Sequence, residues 1–457
     1  MDFSKFLNFK NILIGIAIFA VVIAIFGFSG KIPIFNNSSK QRLTGTVRVW
    51  GTLPNSLMSS FVDEFDKDAK TYTMNYTEVP LEDFNNKLLT ALADGYAPDL
   101  VIAPVSIAFA NLNRIYYTLP STIPESTFRN IYADISSNLI DIPRGYIALP
   151  ISVDPLVLYY NRDILSSNGF VNPPSRWSDI YNYEEKITRK DTDGNITLST
   201  IAFGTYDNIP HITDIIMAMT LQQGQNPISK SYSRDSLGNF SAKYTVNMNE
   251  YNTETGISPL NSSLAFTKDF ADIQKPIYNW TPRSSNALNE FISGNLAFYI
   301  GYASEAAYIK SANQKLYFDY SILPQISGSK VSATYGKLYV VFMLNTSVGA
   351  SPSSLAYQVM QYFASPGKYN SYLVGLTGGI SVLKSEIANN ISSGDQGAEI
   401  FGNSALISKD FYDLHRLDLE RLMREAIRQV YNGEKSTVEA SKIFSDNLQT
   451  VYDNDNK

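Results

Sequence analysis

Residues 46–103 read TVRVWGTLPNSLMSSFVDEFDKDAKTYTMNYTEVPLEDFNNKLLTALADGYAPDLVIA, and the alternation within them sets the architecture. TVRVWG (46–51) is a short strand, after which Leu57, Phe61 and Phe65 recur at helical spacing. TYTMNYTEV (71–79) is strand-like, Phe84, Leu88 and Leu92 form a second helical stripe closed by Gly95, and DLVIA (99–103) is a third strand. This is a βαβαβ pattern. Right-handed crossovers place such strands in one mostly parallel sheet, whose ligands bind outside the strands' carboxyl ends. Trp50 and the Val105-Ser106 pair lie at two of those ends.

Past this unit the chain continues as YIALPISVDPLVLYYNRDIL (146–165), an apolar stretch broken by Pro150 and Pro155. A hairpin-like ITRKDTDGNITLSTIAFG (187–204) follows, then helical patterns around His211 to Gln223 and a polar, turn-rich 225–262. Strands are expected near YFDYSILP (317–324) and KLYVVFML (337–344) and a helix around Leu355 to Ala364. Leu419, Leu422, Met423, Ala426, Ile427 and Val430 give a late helical stripe, stopped at Asn432-Gly433. Ser436 and Glu439 then stand at capping-box spacing and open the last helix.

The chain has 457 residues, enough for two or three domains of roughly 100 to 200 residues. It has no cysteine and two histidines, which excludes a thiol nucleophile, a disulfide, a thiolate metal site and a three-histidine zinc site. Asp191, Asp193 and Asn195 resemble the start of a calcium loop. Ala202 stands where such a loop needs its glutamate, so a hairpin turn is the reading. No metal and no cofactor are expected. Charged residues are 18%, below the roughly 25% of ordinary soluble proteins, while aromatics are 13%, so the surface is polar but lightly charged. A net charge of −6 without any basic stripe argues against a nucleic-acid partner.

Ahead of the soluble part, Ile12 to Phe28 is an unbroken apolar run of 17 residues after Lys5 and Lys10. At 1.5 Å per residue it spans about 25 Å, the lower edge for crossing a bilayer. A retained transmembrane anchor (12–28) is the leading reading, followed by a Gly-, Ser-, Asn- and Pro-containing linker (29–45). A cleavable signal peptide competes, since Gly27 and Ser29 are spaced like a cleavage site; a buried core helix is disfavoured by the absence of a polar face. Lysine and arginine flank both sides, so the orientation follows instead from the length of the trailing domain, which favours an extracytoplasmic location.

Eight segments, in this order, resemble the family 1 extracellular solute-binding proteins of ABC importers, the maltose-binding-protein-like group. They are TVRVWG, APDLVIA (97–103), ALPISVDPLVLYYNRDIL (148–165), NPPSRWSDI (172–180), NEFISGNLAFYIGYAS (289–304), GKLYVVFMLNTS (336–347), GGISVLKS (378–385) and MREAIRQVYNGEKSTVEAS (423–441). The resemblance covers about 46–450 and implies an α/β, two-lobed type II periplasmic-binding-protein fold, each lobe a mostly parallel sheet flanked by helices. Lobe 1 is expected from 46–152 and 323–372, lobe 2 from 153–322 and 373–457.

The resemblance also implies a carbohydrate ligand held between the lobes, ABC permease subunits as partners, a monomer and no catalytic residues. Asp154 matches the position of a ligand-binding carboxylate just after the first lobe crossing; a capping or solvated acid is the alternative. Tyr302 and Ser304 follow the strand whose loop gives the family an aromatic contact, although the family's tryptophan is absent. Gly378 and Gly379 resemble its glycine-rich cleft loop, with a plain turn equally good. Trp50, Ser106 and Trp280 complete the candidate set, each set against a core or capping role; Trp177 is assigned to structure. A cleft of rings, carboxylates and amides suits sugars, whose C–H faces stack and whose hydroxyls need polar partners. The nearest alternatives are a peptide, polyamine or other polar solute in the same fold, or a glycan-binding adhesion module. A glycan-cleaving enzyme is disfavoured because no acid pair stands out.

Overall fold

The structure, a computed structural model, describes residues 44–454 except 142–143, 235–239, 251–257, 348–349 and 352–353. The expected anchor at 12–28 and all but the end of the linker lie outside these residues. Among the described residues no helix is long and apolar enough to cross a membrane.

The opening unit folds as its periodicity requires. Strands β1 (Gly45–Gly51), β2 (Tyr72–Glu78) and β3 (Leu100–Pro104) run parallel in the order β2-β1-β3. The helix Asn55–Ala69 buries Met58, Phe61 and Phe65, and Phe84–Ala93 buries Phe84, Leu88 and Ala91. These apolar residues three and four apart form one stripe facing the sheet.

Two long strands then tie the molecule together. The first crossing strand (Leu149–Asn161) and the second (Thr334–Met343) pair antiparallel from Leu149↔Val341 to Pro155↔Gly336. The ladder slips once, between Tyr339 and Val340, where Ile151 is the extra residue opposite them. On its other edge the second strand pairs β3 from Tyr339 to Met343, and the far half of the first pairs Leu296–Tyr302 and Phe318–Ile322. All belong to one continuous sheet of 11 strands.

The expectation of a mostly parallel sheet in each lobe is met by β1–β3 and corrected in the second lobe. There both partners of the first crossing strand are antiparallel, while Leu296–Tyr302 with Ile196–Ile201 and the short contact of Thr334 and Tyr335 with Ser408–Lys409 are parallel.

The apolar interior divides into two clusters. One gathers Val47 to Val153, Leu338 to Leu383, Ile387 and Ala405; the other gathers Leu156 to Tyr335 and Phe411 to Tyr452. The chain therefore crosses between lobes near 153–156, 335–338 and 405–411, which moves the expected boundaries at 322/323 and 372/373. The reason for the first shift is Gln222, whose buried carboxamide donates to the carbonyls of Pro324 (2.9 Å) and Ala333 (2.8 Å). That holds 323–335 on the second lobe. The second shift follows from segment 382–387, which packs on the first lobe: Ala133 N–H donates to the Val382 carbonyl at 2.8 Å, and Tyr132 bridges to Leu383.

Gly336 sits where the two crossing strands and the strand Ser408–Lys409 meet. A Cβ there would stand 2.7 Å from Val153 Cγ2 and 2.9 Å from Ser408 Cβ. Gly336→Val is expected to cost about 1–3 kcal/mol by overpacking. Urea unfolding checks this; an unchanged midpoint would contradict the packing described.

Candidate functional site

The crossing ladder builds the floor of the cleft. Directly opposed residues of an antiparallel pair project to the same face, so Asp154↔Lys337 and Ser152↔Tyr339 bring four polar side chains to one side of the hinge. Gly336, one residue away, faces the opposite side. The Tyr339 hydroxyl meets the Thr52 hydroxyl just past the carboxyl end of β1, and Ser152 Oγ lies 2.8 Å from Thr377 Oγ1. The floor thus receives groups from the end of β1, both crossing strands and the helix Lys368–Thr377.

Asp154 is half-buried and accepts two hydrogen bonds from Ser304, from its N–H (3.0 Å) and its hydroxyl (2.6 Å). Burial pushes its carboxyl up to about 6, against the pull of those hydrogen bonds and of the Lys337 ammonium. Gly378 and Gly379 close in on the same pair. Gly378 ends the helix Lys368–Thr377 in the left-handed region (φ 68°) beside Ser304, and a Cβ on Gly379 would stand 2.9 Å from the Val153 carbonyl oxygen. Four expected site residues, Asp154, Ser304, Gly378 and Gly379, therefore share one place.

The other four lie apart from that group. Trp280 is fully buried in the second lobe, its indole N–H donating to Thr205 (3.1 Å) and Asn208 (3.2 Å). This corrects its assignment to the ligand, because the ring has no surface to offer. Tyr302 is likewise buried and supports the site from beneath: its hydroxyl donates to Asp214 Oδ2 at 2.6 Å, and Lys337 Nζ stands 3.9 Å above its ring. Trp50 is half-buried on the first lobe, edge-on to Phe84. Ser106 is half-buried in the short helix Val105–Phe109, two residues beyond Pro104, the partner of Tyr339. Trp177 is structural, as expected: its indole N–H donates to Gln222 at 2.7 Å inside the second lobe.

Sequence reasoning missed a charged wall on the second lobe, around a recess of about 360 Å³ lined by Tyr206, His211, Asp214, Lys337, Arg416 and Arg424 among others. Asp214 is buried and Arg416 Nη2 lies 2.6 Å from its Oδ1. Burial works to raise the Asp214 carboxyl, but Arg416, Lys337 and the Tyr302 hydroxyl together hold it below its ordinary value. Arg416 also pairs with Glu420 (2.8 Å) and Asp413 (3.5 Å). His211 precedes the helix Ile212–Gln222 in the left-handed conformation (φ 61°), an uncommon state for a non-glycine residue, and its Nε2 meets Glu305 Oε1 at 2.5 Å. Glu305 Oε2 accepts from Tyr299 (2.7 Å). A Cβ on Gly301 would collide with both partners, so only glycine lets them meet.

Two lone charges in apolar surroundings were the available signals: Asp214 in ITDIIMAMT and Lys337 in GKLYVVFM. Among the described residues no cluster of acids and histidines could hold a metal ion. The Asp191 side chain accepts from the N–H groups of Asp193 (2.9 Å) and Asn195 (2.8 Å), which makes DTDGN a hairpin turn.

Donors and acceptors fixed by their own partners, on a floor between two lobes, suit a ligand rich in hydroxyls. The profile of the bacterial extracellular solute-binding proteins matches residues 60–396. The chain belongs to that family. No curated protein matches it in sequence. Among solved structures, the sugar-binding protein MalE of Xanthomonas citri superposes with a TM-score of 0.71 at 18% identity, covering 90% of this chain and 98% of its own. The cyclic alpha-maltosyl-1,6-maltose binding protein of Arthrobacter globiformis gives 0.68 at 16%, with 90% and 99% covered. A solute-binding protein of Thermotoga lettingae bound with alpha-D-tagatose gives 0.63 at 16%, with 90% and 100% covered. The two-lobed architecture is common to all three, and the family is one of binding proteins.

The raised Asp154 carboxyl has a pH consequence. Its folded value, about 6, exceeds the ordinary 3.8, so the folded state holds the proton more tightly. Its contribution to stability is full below about 4 and is lost as the pH rises through 6. Asp154→Asn is expected to flatten the fall in stability between pH 4 and 7, read by chemical denaturation; an identical slope in both proteins would contradict it.

Proposed function

We propose that this protein is the extracytoplasmic receptor of an ABC importer, which captures a carbohydrate, foremost an oligosaccharide, between its lobes and delivers it to the permease. The observation that carries the reading is Asp154, held by Ser304 on the hinge floor opposite Lys337. A carboxylate there accepts sugar hydroxyls while the ammonium donates to them, and Tyr339, Tyr206 and His211 offer ring surface nearby. The named ligands of similar structures, maltotetraose and cycloalternan among them, support the same class. Closure follows if the bound sugar touches both lobes at once, because only the closed state then makes every contact.

The protein acts as a monomer tethered by residues 12–28, with the two-lobed part outside the membrane. The apolar run supports this reading, and a spanning helix holds more firmly than a single acyl chain. Cell fractionation tests it: the full chain stays with membranes after a high-salt wash and a chain lacking residues 1–43 is released. Release of the full chain would overturn the tether.

Ligand screening by thermal shift on protein lacking residues 1–43 tests the receptor. A ligand at a hundredfold excess over Kd adds about 2.7 kcal/mol of stability. A maltodextrin or cyclic oligosaccharide is expected to give that shift, and Asp154→Ala to weaken its affinity at least tenfold. A response to peptides or polyamines alone would replace the substrate class and keep the fold.

A further inference from the structure

A second recess lies where the lobes meet, away from the charged wall. It has a volume of about 590 Å³, within the range of small-molecule sites, and shares no lining residue with the wall recess. Arg129, Asp134 and Asn138 wall it from the first lobe; Leu221, Gln225 and Val331 wall it from the second, and Lys384, Lys409 and Asp410 complete it. Its position relative to the hinge follows from two features. Gly336, which faces away from Asp154 and Lys337, meets Ser408, the neighbour of Lys409. The helix Ile212–Gln222 has Asp214 near its start in the wall recess and Leu221 near its end in this one.

The polar groups here are unevenly matched. Lys384 Nζ is held by the Arg129 carbonyl (3.0 Å) and Asp134 (3.1 Å), and Arg129 by Glu125 (2.8 Å) and Ser137 (3.1 Å). Lys409, half-buried, has no carboxylate partner among the described residues. Asp410 forms no ion pair with it: its carboxyl is buried, which pushes it above the ordinary range, and its Oδ1 accepts from the Phe411 N–H at 2.7 Å. The side-chain oxygen of Gln225 is buried without a hydrogen-bond donor. A buried acceptor left unmatched costs free energy, which a ligand hydroxyl recovers once this half-buried side chain turns its oxygen to the recess. One unpaired cation calls for an anion, and one unmatched acceptor calls for a hydroxyl.

We propose that this recess is a second ligand site, behind the hinge, for a small hydroxylated anion: a sugar acid or a sugar phosphate, with its charge on Lys409 and a hydroxyl on Gln225. Because both lobes wall the site, its occupant and the cleft ligand are linked through the angle between the lobes, and each changes the affinity of the other by the same factor.

Isothermal titration of the full chain in detergent with gluconate and glucose 6-phosphate tests the assignment, with glucose and inorganic phosphate as comparisons. At least one of the hydroxylated anions is expected to bind, and which one separates the carboxylate from the phosphate ester. Lys409→Gln and Gln225→Leu are each expected to weaken it at least tenfold. Asp154→Asn, in the cleft, keeps the affinity for these anions, which distinguishes this site from the receptor cleft. Thermal unfolding of each variant at the parental temperature establishes that the fold is intact. Absence of binding by both anions overturns the proposal. So does binding that survives Lys409→Gln and Gln225→Leu, binding lost in Asp154→Asn, or equal binding of inorganic phosphate.

Discussion

The antiparallel ladder between Leu149–Asn161 and Thr334–Met343 is the constraint on which the rest of the molecule depends. It is short, belongs to both lobes, and is the place where the two apolar clusters exchange strands. Its register is what sets Asp154 opposite Lys337. A slip of one residue would turn either Asp154 or Lys337 to the other face, so the two would no longer share the floor. The packing of Gly336 against Val153 and Ser408 on that other face guards the register. Fold and site are thus specified by the same few residues.

Around this ladder the second lobe invests in charge. Asp214 lies out of water and remains ionised because Arg416, Tyr302 and Lys337 surround it. Such networks are not a cheap source of stability, since desolvation offsets much of the attraction. What they supply is position. Arg416 is pinned by Asp214, Asp413 and Glu420, and Lys337 is seated over Tyr302, so neither cation has to be ordered when a ligand arrives. Binding energy is then available for moving the lobes.

Much of this was legible in the sequence because it rests on local patterns. The helical stripes at Phe61/Phe65 and Leu88 and the strands between them follow from periodicity. The segment SVDPLVLYYN carries the crossing and its acid together. The charged wall was harder, because His211 and Arg416, with Asp214 and Lys337 between them in sequence, are 205 residues apart and only the topology brings them together. Trp280 misled for a related reason: tryptophan near an inferred cleft mouth suits stacking, yet Thr205 and Asn208 give its N–H partners in the core. The lobe boundaries failed where side chains rather than periodicity decide them, as with Gln222 holding 324 and 333. The mostly antiparallel second lobe escaped notice because strand direction is not written in any one strand.

A receptor built this way must move its lobes around the crossing ladder when sugar binds. The chain has no cysteine, so a single pair of spin labels can be introduced cleanly, at Leu89→Cys on the first lobe and Ile273→Cys on the second, both exposed. Pulsed electron spin resonance then reads the distance between the lobes. A distinct distance distribution is expected when a sugar found by screening is added, with its reversal in Asp154→Ala at the same sugar concentration. A distribution unchanged at saturating sugar would contradict it.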